Sequence, residues 1–404
     1  MLTGLLAAAR LAAGLLIAGG PVTVASIRAA EQPQLGAVGA AAAWPVTRGS
    51  GVTVAVLDTG VDASVPDLAG SVTVGPDETA GTDPSGYQPP HLHGTYIASL
   101  IAGHGSGAGR RSGIIGIAPA ARILSVRVIL DNSEPGFGAF ANESASDNAV
   151  GAGIRYAVQH GARVINMSLG SIAPTKNLRA ALAYAAARGV VLVAAAGNDG
   201  APQSGYTPYS YPAAIPGVIA VAAVGANGTR ASFSEDNSSV VLSAPGVGVI
   251  GAGPGGSYLE ADGTSPASAI VAGVATLIRA KYPRLTPFQV EQALISSTTR
   301  RPPGGYRPAT GFGEVNAPAA LAAAGRLAAA PAQAAAPGLA ASARFARPGP
   351  IQVVHPDGLR VAIYLVTAAV LALAFLVFIA GLALHSRRRP RTRPRESEQL
   401  AQPQ

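Results

Sequence analysis

The sequence predicts an α/β fold: a mostly parallel sheet with helices on both faces, followed by a separate apolar helix near the C-terminus. Three observations predict it. Short apolar runs rich in β-branched residues recur between Gly51 and Ala324, and segments of helical periodicity separate them. A further stretch of 24 residues, Val361–Leu384, carries no charge. Continuous apolar character is what strands buried on both faces require, and regular strand–helix alternation is the pattern of a parallel sheet.

Residues 1–30 are apolar around Arg10 and end in small residues. They read as a secretory signal with cleavage between Ala25 and Ala30, or as an uncleaved anchor. Residues 31–49 are a short Ala-rich lead-in to a domain over 50–325. Strands are predicted at 52–57, 122–128, 163–168, 190–196 and 218–224. Helices are predicted at 92–103, 143–160, 176–188, 265–282 and 287–298. The last opens on Thr286-Pro287-Phe288-Gln289, a capping box with proline at the first helical position. The stretch "GHGSGAG" (103–109) follows a helix rather than a strand, so it fails as a dinucleotide loop and reads as a flexible turn. Residues 326–360 are rich in Ala and Pro and suit a linker.

The segment 361–384 is about 36 Å long at roughly 1.5 Å per residue, enough for the ~30 Å core of a bilayer. Its C-terminal side alone carries a cluster of arginines, six between Ser386 and Glu396. Such a cluster places the tail, 385–404, in the cytoplasm and the domain outside. The same cluster accounts for most of the net charge of +8, so the basic balance reads as a topology signal and no nucleic-acid partner is assigned. The chain has no cysteine, which excludes a disulfide framework, a thiol nucleophile and a thiolate metal site.

Sheets of this kind present reactive groups at the C-terminal ends of their strands. The first strand ends "VAVLDTGVD", with Asp58 at its mouth. "HLHGTYIAS" places His93 at a loop-to-helix junction, where Gly94 lets the chain turn tightly. His91 lies two residues away, but no third ligand is near and no metal is assigned. "AAAGND" ends a strand with Asn198, whose amide can point into a cleft. "GTSPASAIVAG" places Ser265 at the head of an apolar helix. An Asp, a His and a Ser on separate ends suit acyl transfer: the serine attacks a carbonyl, the histidine takes its proton, and the aspartate stabilises the imidazolium. The Ser265 N–H and the Asn198 side chain are the oxyanion donors of that reading. Pro266 removes neither, because a proline in the first helical turn gives up an N–H that lacks a helical partner anyway.

The series "VAVLDTGVD", "HGTYIAS", "GIAPAARI", "VINMSLG", "AAAGN", "YPAAIPG", "SAPG" and "GTSPASAIVAG" resembles, in order, the motifs of the subtilisin-like serine peptidases over residues 50–320. The resemblance implies the three-layer subtilisin-like fold, Asp58, His93 and Ser265 as the triad, and Asn198 as oxyanion donor. It implies that Ser168, Leu169 and Gly170 offer their backbone to an extended polypeptide substrate, and that Tyr211–Pro212 is cis. Members of this family often bind calcium. The acidic stretch 75–86 offers oxygen ligands, but its spacing fits no fixed calcium loop and a solvated turn is preferred, so no cofactor is assigned. A short N-terminal extension, a proline-rich linker, one C-terminal membrane helix and a basic tail together resemble the mycosins, membrane-anchored proteases of type VII secretion systems. That resemblance implies either a processing endopeptidase or a structural subunit of a membrane secretion complex.

Overall fold

The computed structural model describes residues 24–79, 82–142, 145–200, 207–330 and 358–387. Most of the signal segment, the linker from residue 331 and the tail from residue 388 therefore lie outside the described residues. The chain divides into two units, 1–331 and 332–404.

The first unit opens with three short helices, α1 (Val24–Ala30), α2 (Gln32–Ala37) and α3 (Ala40–Ala43), and then enters the sheet. In chain order follow β1 (Thr53–Asp58), β2 (Val72–Asp77), α4 (Leu92–Ala102), β3 (His104–Ser106), β4 (Ser112–Ile115), β5 (Arg122–Arg127), α5 (Phe137–Asn142) and α6 (Ala145–Gln159). Then come β6 (Val164–Met167), α7 (Lys176–Ala187), β7 (Val191–Ala195), β8 (Val218–Val224), β9 (Val240–Pro245), β10 (Val249–Ala252) and β11 (Tyr258–Ala261). Three helices close the unit: α8 (Thr264–Lys281), α9 (Pro287–Ser296) and α10 (Ala317–Ala329).

Among the described residues the main sheet has seven strands in the order β2-β5-β1-β6-β7-β8-β9. Every pairing in it is parallel. The period of two divides each strand between two cores. Val54 and Val56 face a layer that contains Ile97, Ile270, Val274 and Leu277 of α4 and α8. Ala55 and Leu57 face Ile154, Leu178 and Leu182 of α6 and α7. Full burial of each Val, Leu or Ile contributes about 1.5–3 kcal/mol, so both faces hold β1 in register.

The five predicted strands and five predicted helices all form, with ends shifted by one or two residues. The capping box at Thr286 is present on both sides. Several features differ from expectation. The two edge strands β2 and β9 were not predicted. "GHGSGAG" is not a flexible turn: residues 104–106 pair antiparallel with β4. Residues 326–329, assigned to the linker, complete α10, whose Leu321, Ala323 and Ala324 are buried. The end of the segment read as a signal, residues 1–30, is packed, and so is the lead-in that follows it. Ile27 is buried with Val65, Ile114 and Ile250. Arg28 donates to the carbonyls of Gly113 and Ser112 (2.9 Å each), and Gln34 exchanges both of its amide bonds with the backbone of Ile250.

In the second unit the described part is α11 (Gly358–Arg387), 30 residues of helix. Its described side chains, 366–380, are all exposed. That stretch is shorter than a bilayer span, and among the described residues no helix is long and apolar enough to cross a membrane.

Candidate active site

Three strand ends and two helix starts meet at the C-terminal edge of the sheet. Asp58 is the last residue of β1 and is fully buried. A carboxylate there needs partners. Its Oδ1 accepts the Thr59 N–H (2.8 Å) and lies 2.7 Å from His93 Nδ1. His93 is the second residue of α4 and is 6% exposed. Two contacts fix the approach of that helix to the strand. The Gly94 N–H donates to Thr59 Oγ1 (3.1 Å), and a Cβ at Gly94 would stand 2.1 Å from the Gly60 carbonyl oxygen. Only glycine permits that approach. His91 adopts a left-handed φ of 51° and places Nδ1 2.7 Å from the Thr59 carbonyl. Its role is to hold the turn.

Burial by itself lowers the pKa of His93. The Asp58 carboxylate outweighs it through charge and hydrogen bond, with a further contribution from the charge of Asp131, so the pKa is raised. The Asp58 bond to Nδ1 leaves Nε2 as the working nitrogen, and Nε2 is buried without a hydrogen-bond partner.

Ser265 is the second residue of α8 and is 2% exposed. It is helical although Pro266 follows it; packing of a fully buried helix start overrides the local preference of a residue before proline. Pro266 is the third helical residue, where the missing N–H has no helical acceptor. Ser265 Oγ donates to the Ser168 carbonyl (3.4 Å) rather than to His93 in this structure. That bond is long. Catalytic hydrogen bonds in unliganded sites are commonly open in this way.

Asn198 follows β7. Its Oδ1 accepts from both the N–H and the hydroxyl of Thr264 (2.9 Å each). The amide is thereby oriented with its nitrogen free to serve as a donor. The Thr264 hydroxyl also accepts the Gly197 N–H (3.2 Å), so one buried threonine fixes the Gly197–Asn198 loop from two sides. Ser168 continues β6, and its hydroxyl joins Asn166, Ser268 and the Ser265 carbonyl in one buried network. Leu169 is buried and Gly170 partly exposed. A Cβ at Gly170 would stand 2.3 Å from Ser210 Oγ, and the next residue, Ser171, pairs antiparallel with Tyr211. The Tyr211–Pro212 bond is cis, as the resemblance implies.

The structure joins Asp58 to His93, Asn198 to Thr264 next to Ser265, and Ser265 to Ser168, at the C-terminal ends of the neighbouring strands β1, β6 and β7. Sequence reading missed Thr59, Thr264, Ser268 and Asn166, which hold the candidate groups and their neighbours without being of a reactive type themselves. The acidic stretch 75–86 is not a solvated turn throughout. Asp77 and Asp83 each bond the buried Arg127 guanidinium (2.6 Å), as does Glu134 (2.5 Å). Among the described residues no group of three or more His, Asp or Glu is placed to hold a metal ion.

Chemically this is equipment for acyl transfer through a serine nucleophile, set at the switch of a doubly covered parallel sheet. The chain belongs to the subtilase family of serine peptidases: the family model (Peptidase S8) matches residues 49–313. It is 37% identical over 274 residues to M-protease of Shouchella clausii (strain KSM-K16), a match covering 67% of this chain and 64% of that one. It is 38% identical over 275 residues to subtilisin DY of Bacillus licheniformis, covering 68% and 92%. Among solved structures it is similar to MycP1 from Mycobacterium smegmatis, with TM-score 0.62, 27% identity and coverage of 72% of this chain and 84% of that one.

Proposed function

We propose that the protein is a membrane-anchored serine endopeptidase that cleaves polypeptides outside the cytoplasmic membrane, a processing protease of the mycosin type. The Asp58–His93 pair, together with a buried serine, Ser265, at the head of α8, supports the reading. The substrate strand lies along Ser168–Gly170. Ser265 Oγ attacks the scissile carbonyl while His93 Nε2 takes its proton, and Asp58 stabilises the imidazolium through Nδ1. The Ser265 N–H and Asn198 Nδ2 receive the developing oxyanion. His93 then returns the proton to the departing amine, and water repeats the sequence on the acyl-enzyme.

Anchoring is supported by the 24 uncharged residues of Val361–Leu384, the helical backbone of Gly358–Arg387 and the arginines that follow. A second reading, a structural subunit of a membrane secretion complex, is favoured by similarity to MycP1, one structure of which is described as from the ESX-1 type VII secretion system. Replacing the native gene by one encoding Ser265→Ala separates the two. Loss of polypeptide processing with the membrane complex intact supports the endopeptidase. Unchanged processing, together with a complex lost only when the whole protein is deleted, supports the subunit.

A further inference from the structure

Glu235 is a buried acid that the triad does not use. It lies between β8 and β9 and is 2% exposed. Its own backbone and its side chain both meet the loop that carries Asn198. The Glu235 N–H donates to the Gly197 carbonyl (3.1 Å). Its carboxyl fills the space behind Gly197: a Cβ on that glycine, whose φ is 117°, would stand 2.1 Å from Glu235 Oε1. Two residues earlier on the same segment, the Phe233 carbonyl accepts the Gly200 N–H (2.8 Å).

The carboxyl is itself held from another side. Asn237 Nδ2 donates to Glu235 Oε2 (3.1 Å) and to the Pro208 carbonyl (2.8 Å). Asn237 Oδ1 accepts from the N–H and the hydroxyl of Ser239 (3.0 and 2.6 Å), which fixes the amide in that sense. Glu235 thus joins the Gly197–Asn198 loop to the chain that leads into Tyr211, the pairing partner of Ser171.

A buried carboxylate is costly without a cation, and among the described residues no Lys, Arg or His forms an ion pair with Glu235. Arg230 spends its guanidinium on the carbonyls of Gly200 and Ser234 and lies 3.8 Å from Asp236. Tyr209 bonds Ser238, and the start of α8 brings no ionisable residue. Burial, with the charge of Asp199 on the loop adding to it, pushes the pKa of Glu235 up from 4.5 to about 8 against the Asn237 bond. At neutral pH the group behind Gly197 is therefore an uncharged acid.

We propose that Glu235 is a positioning residue for the oxyanion step: its carboxyl, clamped by Asn237, braces Gly197 from behind and so sets the direction of the Asn198 amide. This rests on the serine-peptidase reading, in which that amide receives the oxyanion. Thr264 holds Gly197 through its N–H; Glu235 holds it through its carbonyl and at its α-carbon. Once ionised, the same carboxyl sets a negative charge one residue from the donor, against the charge that develops on the substrate oxygen. The brace serves catalysis below about pH 8 and opposes it above.

The test uses the full-length protein in detergent, with Glu235→Ala, which removes the brace, and Glu235→Gln, which keeps its shape and does not ionise. Parent and variants are first treated with a fluorophosphonate; a parent that takes no label overturns the serine reading, and this proposal with it. With a labelling parent, kcat and KM for a neutral peptide are followed from about pH 6 to 10. In Glu235→Ala, kcat at neutral pH falls about tenfold with KM unchanged, part of the roughly 10²–10³-fold that a whole oxyanion donor is worth. Glu235→Gln returns kcat at neutral pH towards the parent's, and the fall that the parent shows as pH rises through about 8 moves up or disappears. An unmoved kcat in Glu235→Ala overturns the proposal and leaves the serine reading standing. So does a loss confined to peptides carrying Lys or Arg beside the scissile bond, which would make Glu235 a reader of substrate. If Glu235→Ala melts early, Glu235→Gln decides: an alkaline limb that stays in place in that variant overturns the proposal.

Discussion

Thr264 is fully buried, and its hydroxyl ties together Asn198 and Gly197, the loop that carries the proposed oxyanion donor. Replacement by valine keeps the shape and removes the oxygen. Two hydrogen bonds go with it, from the hydroxyl to Asn198 Oδ1 and from the Gly197 N–H to the hydroxyl. The Gly197 donor is buried, so leaving it unpaired costs about 1–3 kcal/mol of stability, a drop of a few degrees in Tm. Asn198 keeps the Thr264 N–H as its single anchor. Losing one net hydrogen bond of about 0.5–1.5 kcal/mol releases the amide from its donating orientation, worth roughly a 2- to 12-fold fall in kcat. In the proposed function the substrate strand pairs with Ser168–Gly170, which the change does not touch, so KM should hold. Steady-state kinetics on one peptide and a melting curve read all three quantities. A variant with the lowered Tm and an unchanged kcat would refute the idea that Thr264 orients Asn198; a raised KM alone would place Thr264 in substrate binding.

Two further outcomes follow from the packed N-terminal segment. The mature chain should begin at or before Val24, because Ile27 and Arg28 are built into the domain; N-terminal sequencing checks this, and a chain cut at Ala30 should melt lower by the burial of Ile27, about 1.5–3 kcal/mol, plus the Arg28 bonds. Glu31 is fully buried against the Ile115 N–H and Arg28, and burial pushes its pKa up from 4.5 to about 8. A raised folded-state pKa means the acid is favoured folded and protonated, so its contribution is whole below pH 4.5 and declines as pH rises through about 8, by up to about 1.4 kcal/mol per pH unit. Glu31→Gln should therefore gain stability relative to the parent as pH rises from 5 to 9, read by denaturant melts; parallel curves would contradict the assignment.

Much of this architecture was legible in the sequence, and the parts that were not share a physical cause. β1, β5, β6, β7 and β8 are central strands buried on both faces, and an unbroken apolar run is their direct consequence. β2 is an edge strand whose residues are half-buried or exposed; it tolerates Gly75 and Pro76 and shows no burial period. β9, on the opposite edge, ends in Pro245. The helices α3 and α10 are built largely from alanine, which carries helix propensity but little periodic contrast, and α1 and α2 are only seven and six residues long. In the site, Asp58, His93, Asn198 and Ser265 stood out because each is a reactive type at the end of an element. Thr264 did not, because its role depends on which group lies across space: Asn198 is 66 residues from it along the chain. The pairing of Asp77 and Asp83 with Arg127 was hidden for the same reason.

The central claim is that Ser265 is a nucleophile activated by His93, although its hydroxyl rests on the Ser168 carbonyl and a proline follows it. The most direct measurement treats the purified protein with a fluorophosphonate and reads the adduct by intact mass and peptide mapping. The account predicts one adduct per chain, on Ser265, absent in Ser265→Ala and in His93→Ala. A folded parent that takes no label, or one labelled equally well without His93, would contradict it.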